Sequence, residues 1–304
     1  MLALVSTPDQ PQPVQVQEVE EPKAGPHEVL IEVRAFSVNR GELHLLPQRP
    51  GWRPGQDVAG TVRTAAAGGA GPKEGVPVVA AVDQGGWAQV VAAPVARVAE
   101  LPSEVGFAEA ATLPVAGLTA LRALRDAGPL LNRRVLVTGA HGGVGHFAVQ
   151  LAAMSGAGVT AAVGSTDRAE DLHDLGAERV VTYDEDPGGP FDAVLEGVGG
   201  AVLEASLRFL APGGVVIVYG NASGQPARLS LASFGGKPAI CRSFFIYQTG
   251  VESFGRDLTF LAGLVAAERL RPEVGFTASW RDTAAGLQAL KDRQVRGKVV
   301  LWVD

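Results

Sequence analysis

Over the first hundred positions, apolar residues come in short β-branched runs. Val29–Val33, Val58–Thr64, Val76–Val82 and Ala88–Ala92 each predict a strand. The pairs Gly25-Pro26, Pro54-Gly55, Gly71-Pro72 and Gly85-Gly86 punctuate them as turns. This part of the chain predicts a mostly antiparallel barrel or sandwich without long helices.

After Pro102 the pattern changes. Phe107–Ala127 carries apolar residues at helical spacing, interrupted by Pro114 and Gly117. Strands are predicted at Arg134–Thr138, Val159–Val163, Arg179–Thr182, Phe191–Glu196 and Val215–Tyr219, and helices at Gly143–Ser155, Arg168–Leu175 and Gly200–Leu210. Nearly continuous apolar strands are buried on both faces, as in a parallel sheet covered by helices, so the order predicts a doubly wound α/β unit. Helices at Ser253–Glu268 and Thr283–Asp292 and a strand at Lys298–Val303 complete the pattern.

Between the first of these apolar strands and its helix stand Gly139, Gly142 and Gly145. Such a turn reverses the chain tightly, lets backbone approach a pyrophosphate, and offers the N–H groups of a helix start to phosphate oxygens. The required strand, helix and second strand are all present, so the turn reads as a dinucleotide site. An NAD site places a carboxylate at the tip of the second strand. Here that strand ends in Gly164-Ser165-Thr166, with Arg168 just beyond. A hydroxyl and a guanidinium suit a 2′-phosphate, so the cofactor expected is NADP(H). The alternative for Arg168 is a solvated helix residue.

Composition narrows the field further. The formal net charge of -6 and the lack of a basic run provide no footprint for nucleic acid or an anionic membrane. No apolar stretch is long enough to span a bilayer, and Met1–Gln17 lacks a signal-peptide pattern. The only cysteine, Cys241, excludes an intramolecular disulfide and fits a reducing compartment, so the cytoplasm is expected.

These residues resemble a known family. Gly139-Ala-His-Gly-Gly-Val-Gly145 is similar to the glycine turn of the zinc-independent medium-chain dehydrogenase/reductases, the quinone oxidoreductases with zeta-crystallins and polyketide enoyl reductases. Asp57-Val-Ala-Gly60-Thr-Val, Gly86-Trp-Ala-Gln-Val-Val, Glu109–Ala120, Gly164-Ser-Thr-Asp-Arg168 and Pro212–Asn221 resemble further elements of that family. The resemblance implies a GroES-like catalytic domain from residues 1–112 and 272–304, with a Rossmann NADP(H) domain over 113–271. It also implies cofactor contacts at Thr119, Ala140, His141, Gly143, Val144, Tyr183, Val198, Gly199, Tyr219, Gly220, Asn221, Phe244, Phe245 and Ile246. His141 replaces the family's usual Ser. It donates to the pyrophosphate or is an ordinary surface histidine.

Zinc-dependent relatives carry Cys where this chain has Asn39, and Gly-His-Glu where it has Gly55-Gln56-Asp57. No tetrahedral ligand set remains, and the five histidines (27, 44, 141, 146 and 173) lack ligand spacing, so no metal is expected. Without a Lewis acid, hydride addition to a quinone or an α,β-unsaturated carbonyl is the chemistry best served. Negative charge then collects on the carbonyl oxygen and needs a hydrogen-bond donor. Asn39 is the candidate donor, its alternative being a turn residue. His44, where some relatives have Tyr, is the candidate proton source, its alternative being a pocket wall. Glu42 reads as a structural partner for a backbone group or an Arg, and Trp52 as a pocket wall or packing.

The leading reading is an NADPH-dependent quinone or enone reductase. A dedicated biosynthetic enoyl reductase and a non-catalytic NADP(H)-binding protein remain as alternatives. The run Phe244–Tyr247 either pairs two copies into a homodimer or is buried within one.

Overall fold

The structure is a computed structural model and describes residues 1–165, 167 and 171–304. They form two compact units: Met1–Leu118 with Gly250–Asp304, and Thr119–Thr249.

The first unit opens with an antiparallel ribbon, β1 (Leu2–Ser6) and β2 (Val14–Glu18). β3 (Glu28–Val38), α1 (Arg40–Leu45), β4 (Asp57–Thr64), β5 (Pro77–Ala81), β6 (Val90–Pro94), β7 (Val98–Glu100) and α2 (Phe107–Ala111) follow. Pro114 has no N–H to continue the helix. The chain accordingly makes a π-helical turn over Leu113–Gly117 before α3 (Leu118–Asp126).

The second unit continues with β8 (Arg134–Thr138), α4 (Gly143–Met154), β9 (Gly158–Val163), β10 (Ala177–Thr182), β11 (Phe191–Glu196), α5 (Gly200–Arg208), β12 (Leu210–Val218) and β13 (Ile240–Ser243). Its six strands are all parallel, in the order β10-β9-β8-β11-β12-β13. The chain moves outward from β8 in one direction and then, from β11, in the other. Right-handed crossovers put α4 and α5 on opposite faces, which makes the sheet doubly wound. The order reverses between β8 and β11, and ligands bind such sheets at the carboxyl ends of the strands flanking that point. β8 and β11 are buried along most of their length, as their unbroken apolar runs require.

The chain then returns to the first unit as α6 (Phe254–Ala266), β14 (Val274–Ser279), α7 (Thr283–Lys291) and β15 (Lys298–Trp302). The sheet there runs β14-β15-β3-β4-β5-β7, with β6 also on β3, and every pair but β14–β15 is antiparallel. Eleven-residue β3 organises it. Glu28–Glu32 pair with β6, whereas Ala35–Val38 pair with β15, and β4 lies along the other edge.

Some predicted elements differ in the structure. The predicted helix over 168–175 does not form across Asp171–Leu175, which are turns. Only Leu172 is fully buried there, too little apolar surface to hold a helix face. The strand expected at Ala88–Ala92 is set two residues later, at Val90–Pro94. Helix α6 groups by its contacts with the first unit: a Cβ on its Gly255 would lie 2.7 Å from the Val98 carbonyl.

The core of the first unit centres on Phe36 and Trp87, both fully buried and stacked with ring centroids 5.4 Å apart. Trp87→Ala should cost about 3–5 kcal/mol, the range for emptying a large aromatic site in a core. Denaturant unfolding checks this. A loss under about 1 kcal/mol would mean that the sheet closes without the indole.

Candidate active site

In the second unit the glycine turn leaves β8 after Thr138. Gly139 has φ +63°, a left-handed conformation that side chains resist. A Cβ on Gly145 would stand 2.2 Å from the Gly139 carbonyl oxygen, so α4 can start this close to the turn only with glycine there. Gly142 occupies the cap position and no side chain caps the helix. The N–H groups of Gly143, Val144 and Gly145 therefore open the helix without a side-chain acceptor, suited to an anion.

Apart from Thr119, the other predicted cofactor residues of this unit lie just beyond the carboxyl ends of its strands. The Tyr183 hydroxyl accepts from Gly139 N–H at 3.1 Å, and a Cβ on Gly164 would lie 3.6 Å from the same ring. Val198 is beside Gly139, 3.4 Å from where its Cβ would be. The Tyr219 hydroxyl donates to the Thr138 carbonyl at 3.4 Å. With its amide turned to satisfy its neighbours, Asn221 donates to the Val198 and Gln225 carbonyls, 3.3 Å from each. Gly220 packs on Gly197, whose carbonyl would be 3.0 Å from a Cβ at 220. Ala140 and His141 are buried in the turn itself, Ser165 is half-buried at the tip of β9, and Thr119 is buried in α3. Phe244 follows β13 and donates its N–H to the Val218 carbonyl at 2.8 Å. Beyond it Phe245 is 61% exposed, while Ile246 is buried. Arg168 lies outside the described residues.

Glu196, which the sequence pattern does not single out, underpins this patch from the end of β11. Its carboxylate accepts from Val198 N–H at 2.8 Å, Gly199 N–H at 3.0 Å and the Thr138 hydroxyl at 3.1 Å. Burial pushes its pKa up, against the pull of those donors. Burial, with the Glu196 charge second, also pushes the Tyr219 phenol up.

In the first unit, Asn39 sits between β3 and α1 and is half-buried. Its amide nitrogen donates to Asp57 Oδ2 at 2.9 Å, and its amide oxygen accepts from Lys298 Nζ. Lys298 Nζ also reaches Asp57 Oδ2 at 3.0 Å, and both residues are buried. Ser37 Oγ donates to the same carboxylate at 2.6 Å, and Val115 N–H to its other oxygen at 2.8 Å. Glu42 is fully buried and accepts from Asn39 N–H at 2.7 Å and Gly55 N–H at 3.1 Å, the backbone role expected of it. His44 is exposed in the last turn of α1. Trp52 donates to Gln84 Oε1 at 2.8 Å, with the Arg49 guanidinium 5.5 Å from its ring.

Among the described residues, no three His, Cys, Asp or Glu side chains converge as a metal site, and no helix is long and apolar enough to cross a membrane.

Two family models match the chain: an alcohol dehydrogenase GroES-like domain over residues 25–103 and a zinc-binding dehydrogenase domain over 143–262. The quinone oxidoreductase from Thermus thermophilus, solved also in complex with NADPH, is 33% identical. It superposes with a TM-score of 0.84, covering 99% of this chain and 100% of that one. This chain belongs to the quinone oxidoreductase family of medium-chain dehydrogenase/reductases.

An Arabidopsis thaliana chloroplast envelope quinone oxidoreductase homolog is 41% identical over 52% of this chain and 53% of its own length. A Solanum lycopersicum 2-methylene-furan-3-one reductase is 36% identical over 57% of this chain and 48% of its own. The chain thus spans about half the length of these curated relatives.

Lys298 and Ser37 join the cluster around Asp57 and Asn39 without any signal in the sequence. Lys298 reads as the polar start of an apolar strand, and no spacing rule links it to Asp57.

Burial first, then the nearby Asp57 charge, raises the Glu42 pKa from the ordinary 4.5 to about 8. The folded protein therefore keeps a proton that the unfolded chain releases. The resulting stabilisation is complete below about pH 4.5 and is lost as pH rises through about 8. The stability lead of the native protein over Glu42→Gln should be largest near pH 5 and shrink by pH 9, measured by urea unfolding at each pH. A lead constant across that range would contradict it.

Proposed function

We propose that this chain reduces a quinone or an α,β-unsaturated carbonyl with hydride from NADPH, and that it does so without zinc. The observation that carries the reading is the Asn39 amide, held from both ends and keeping, among the described residues, one N–H uncommitted on a half-buried residue. The glycine turn fits the cofactor. Its uncapped helix start suits the pyrophosphate, and Gly164-Ser165 brings no carboxylate to the β9 tip to repel a 2′-phosphate. Tyr183, Val198, Gly199, Tyr219, Gly220, Asn221 and the backbone of Phe244–Ile246 are proposed to hold the rest of the nucleotide, with Arg168 on the 2′-phosphate. Bound there, the reduced nicotinamide supplies hydride.

When hydride reaches the β-carbon of an enone, the π electrons move to the carbonyl oxygen, which becomes enolate-like. The uncommitted Asn39 N–H donates to that oxygen, an interaction stronger in the transition state than in the ground state. A proton from water or His44 then completes the saturated ketone. With a quinone, the same hydride and proton give the hydroquinone. The Lys298 ammonium beside Asn39 and Asp57 opposes a bound cation, which supports the metal-free reading.

The 2-methylene-furan-3-one reductase resemblance favours conjugated ketones among the substrates. β13, paired only with β12 among the described residues, and the exposed Phe245 support pairing of two copies. The lone cysteine supports a reducing compartment such as the cytoplasm.

NADPH oxidation assayed against quinones and conjugated ketones tests the activity. Turnover should survive exhaustive chelation and should favour NADPH over NADH, a preference that Arg168→Ala should mostly erase. Asn39→Ala should lower kcat by up to ~10²–10³-fold, less if water replaces the donor, with NADPH affinity unchanged. No turnover on any acceptor despite tight NADPH binding would point to a binding protein instead. Equal use of both nucleotides, or activity lost with a stoichiometric zinc, would overturn the corresponding part.

A further inference from the structure

We propose that Lys298 and Asp57 are positioning residues: they lock the Asn39 amide in one of its two orientations, so that an N–H, never the carbonyl oxygen, faces the substrate. The proposal rests on the donor role of Asn39 given above.

An asparagine amide is nearly symmetric in shape, and a half-turn exchanges its donor and acceptor ends. Only its partners decide which end points where. Here one partner can only donate and the other can only accept. The Lys298 ammonium holds Oδ1, and Asp57 Oδ2 takes one N–H of Nδ2 at 2.9 Å. A flipped amide would set its NH₂ against the ammonium and its oxygen against the carboxylate, losing both bonds to like-signed contacts. Burial of Lys298 and Asp57 keeps water from rescuing that arrangement.

The clamp is itself immobile. Asp57 Oδ2 also takes the Ser37 hydroxyl at 2.6 Å, and Oδ1 takes Val115 N–H at 2.8 Å. Glu42 fixes the backbone of Asn39 by accepting its N–H at 2.7 Å. The amide's torsions are thus held at backbone, nitrogen and oxygen, leaving one N–H as its donor to spare. A catalytic donor gains most from being aimed before the charge arrives.

Four proteins test this: native, Asn39→Ala, Lys298→Met and the double variant, assayed on a conjugated ketone alongside NADPH titration. Lys298→Met should lower kcat with NADPH affinity unchanged, by no more than the ~10²–10³-fold that losing a preorganised donor costs. In the Asn39→Ala background the same change should alter kcat less than about twofold, because the lysine acts through the amide it no longer finds. A second readout needs no turnover. The Asn39 side-chain amide pair in a ¹H–¹⁵N spectrum, assigned by its loss in Asn39→Ala, should shift and broaden in Lys298→Met.

Should Lys298→Met fail to fold because Asp57 is left buried and unpaired, Asp57→Asn combined with Lys298→Met removes both charges and carries the same expectations. An equal kcat loss with and without Asn39, or an unmoved amide resonance, overturns the clamp. Absence of turnover in the native protein counts against the proposed activity alone, and the spectrum still decides the clamp.

Discussion

Asp57 is a buried carboxylate, and a buried charge must be fully paired or it destabilises the fold around it. The first unit meets that demand by bringing separate segments to one side chain. β3 and its end supply Ser37 and Asn39, the π-helical turn supplies Val115 N–H, and β15 supplies Lys298. β4 presents the carboxylate itself. The same bonds that neutralise Asp57 therefore set the geometry of β3, the π turn and β15, and with them the residue that carries the proposed chemistry.

The nucleotide unit solves a related problem with backbone instead of charge. Gly139 turns the chain and Gly145 lets α4 start against it. Glu196, itself buried, then organises the neighbouring loop by accepting from two successive N–H groups and a hydroxyl. Both units thus use an interior carboxylate to hold irregular backbone in place, where regular sheet hydrogen bonds run out.

Periodicity reveals elements that bury a face, and the parallel sheet was legible for that reason. Its apolar strands and the glycines between β8 and α4 carry local signals. β13 carries none: all four of its residues are exposed, and Ile-Cys-Arg-Ser shows no alternation. The ribbon of β1 and β2 hides behind Pro11 and Pro13, which read as loop. The 168–175 stretch has helical composition, yet its described part buries fully only Leu172, and tertiary context overrode propensity. Asn39 was visible through its family position, while its partners were not. Ser37 sits within an ordinary β-strand run, and Lys298 lies 241 residues from Asp57. Charge pairing at that distance leaves no pattern along the chain.

That separation also orders events during synthesis. Strand β3 can find β4 and β6 early, but its Ala35–Val38 edge waits for β15, and Asp57 waits for Lys298. The whole of Thr119–Thr249 leaves the ribosome in the interval. The inserted unit is free to fold while Asp57 of its host still lacks its lysine. Asp57 can stay hydrated until the sheet closes over it, and the residues that close that edge, Val299–Trp302, follow directly on Lys298.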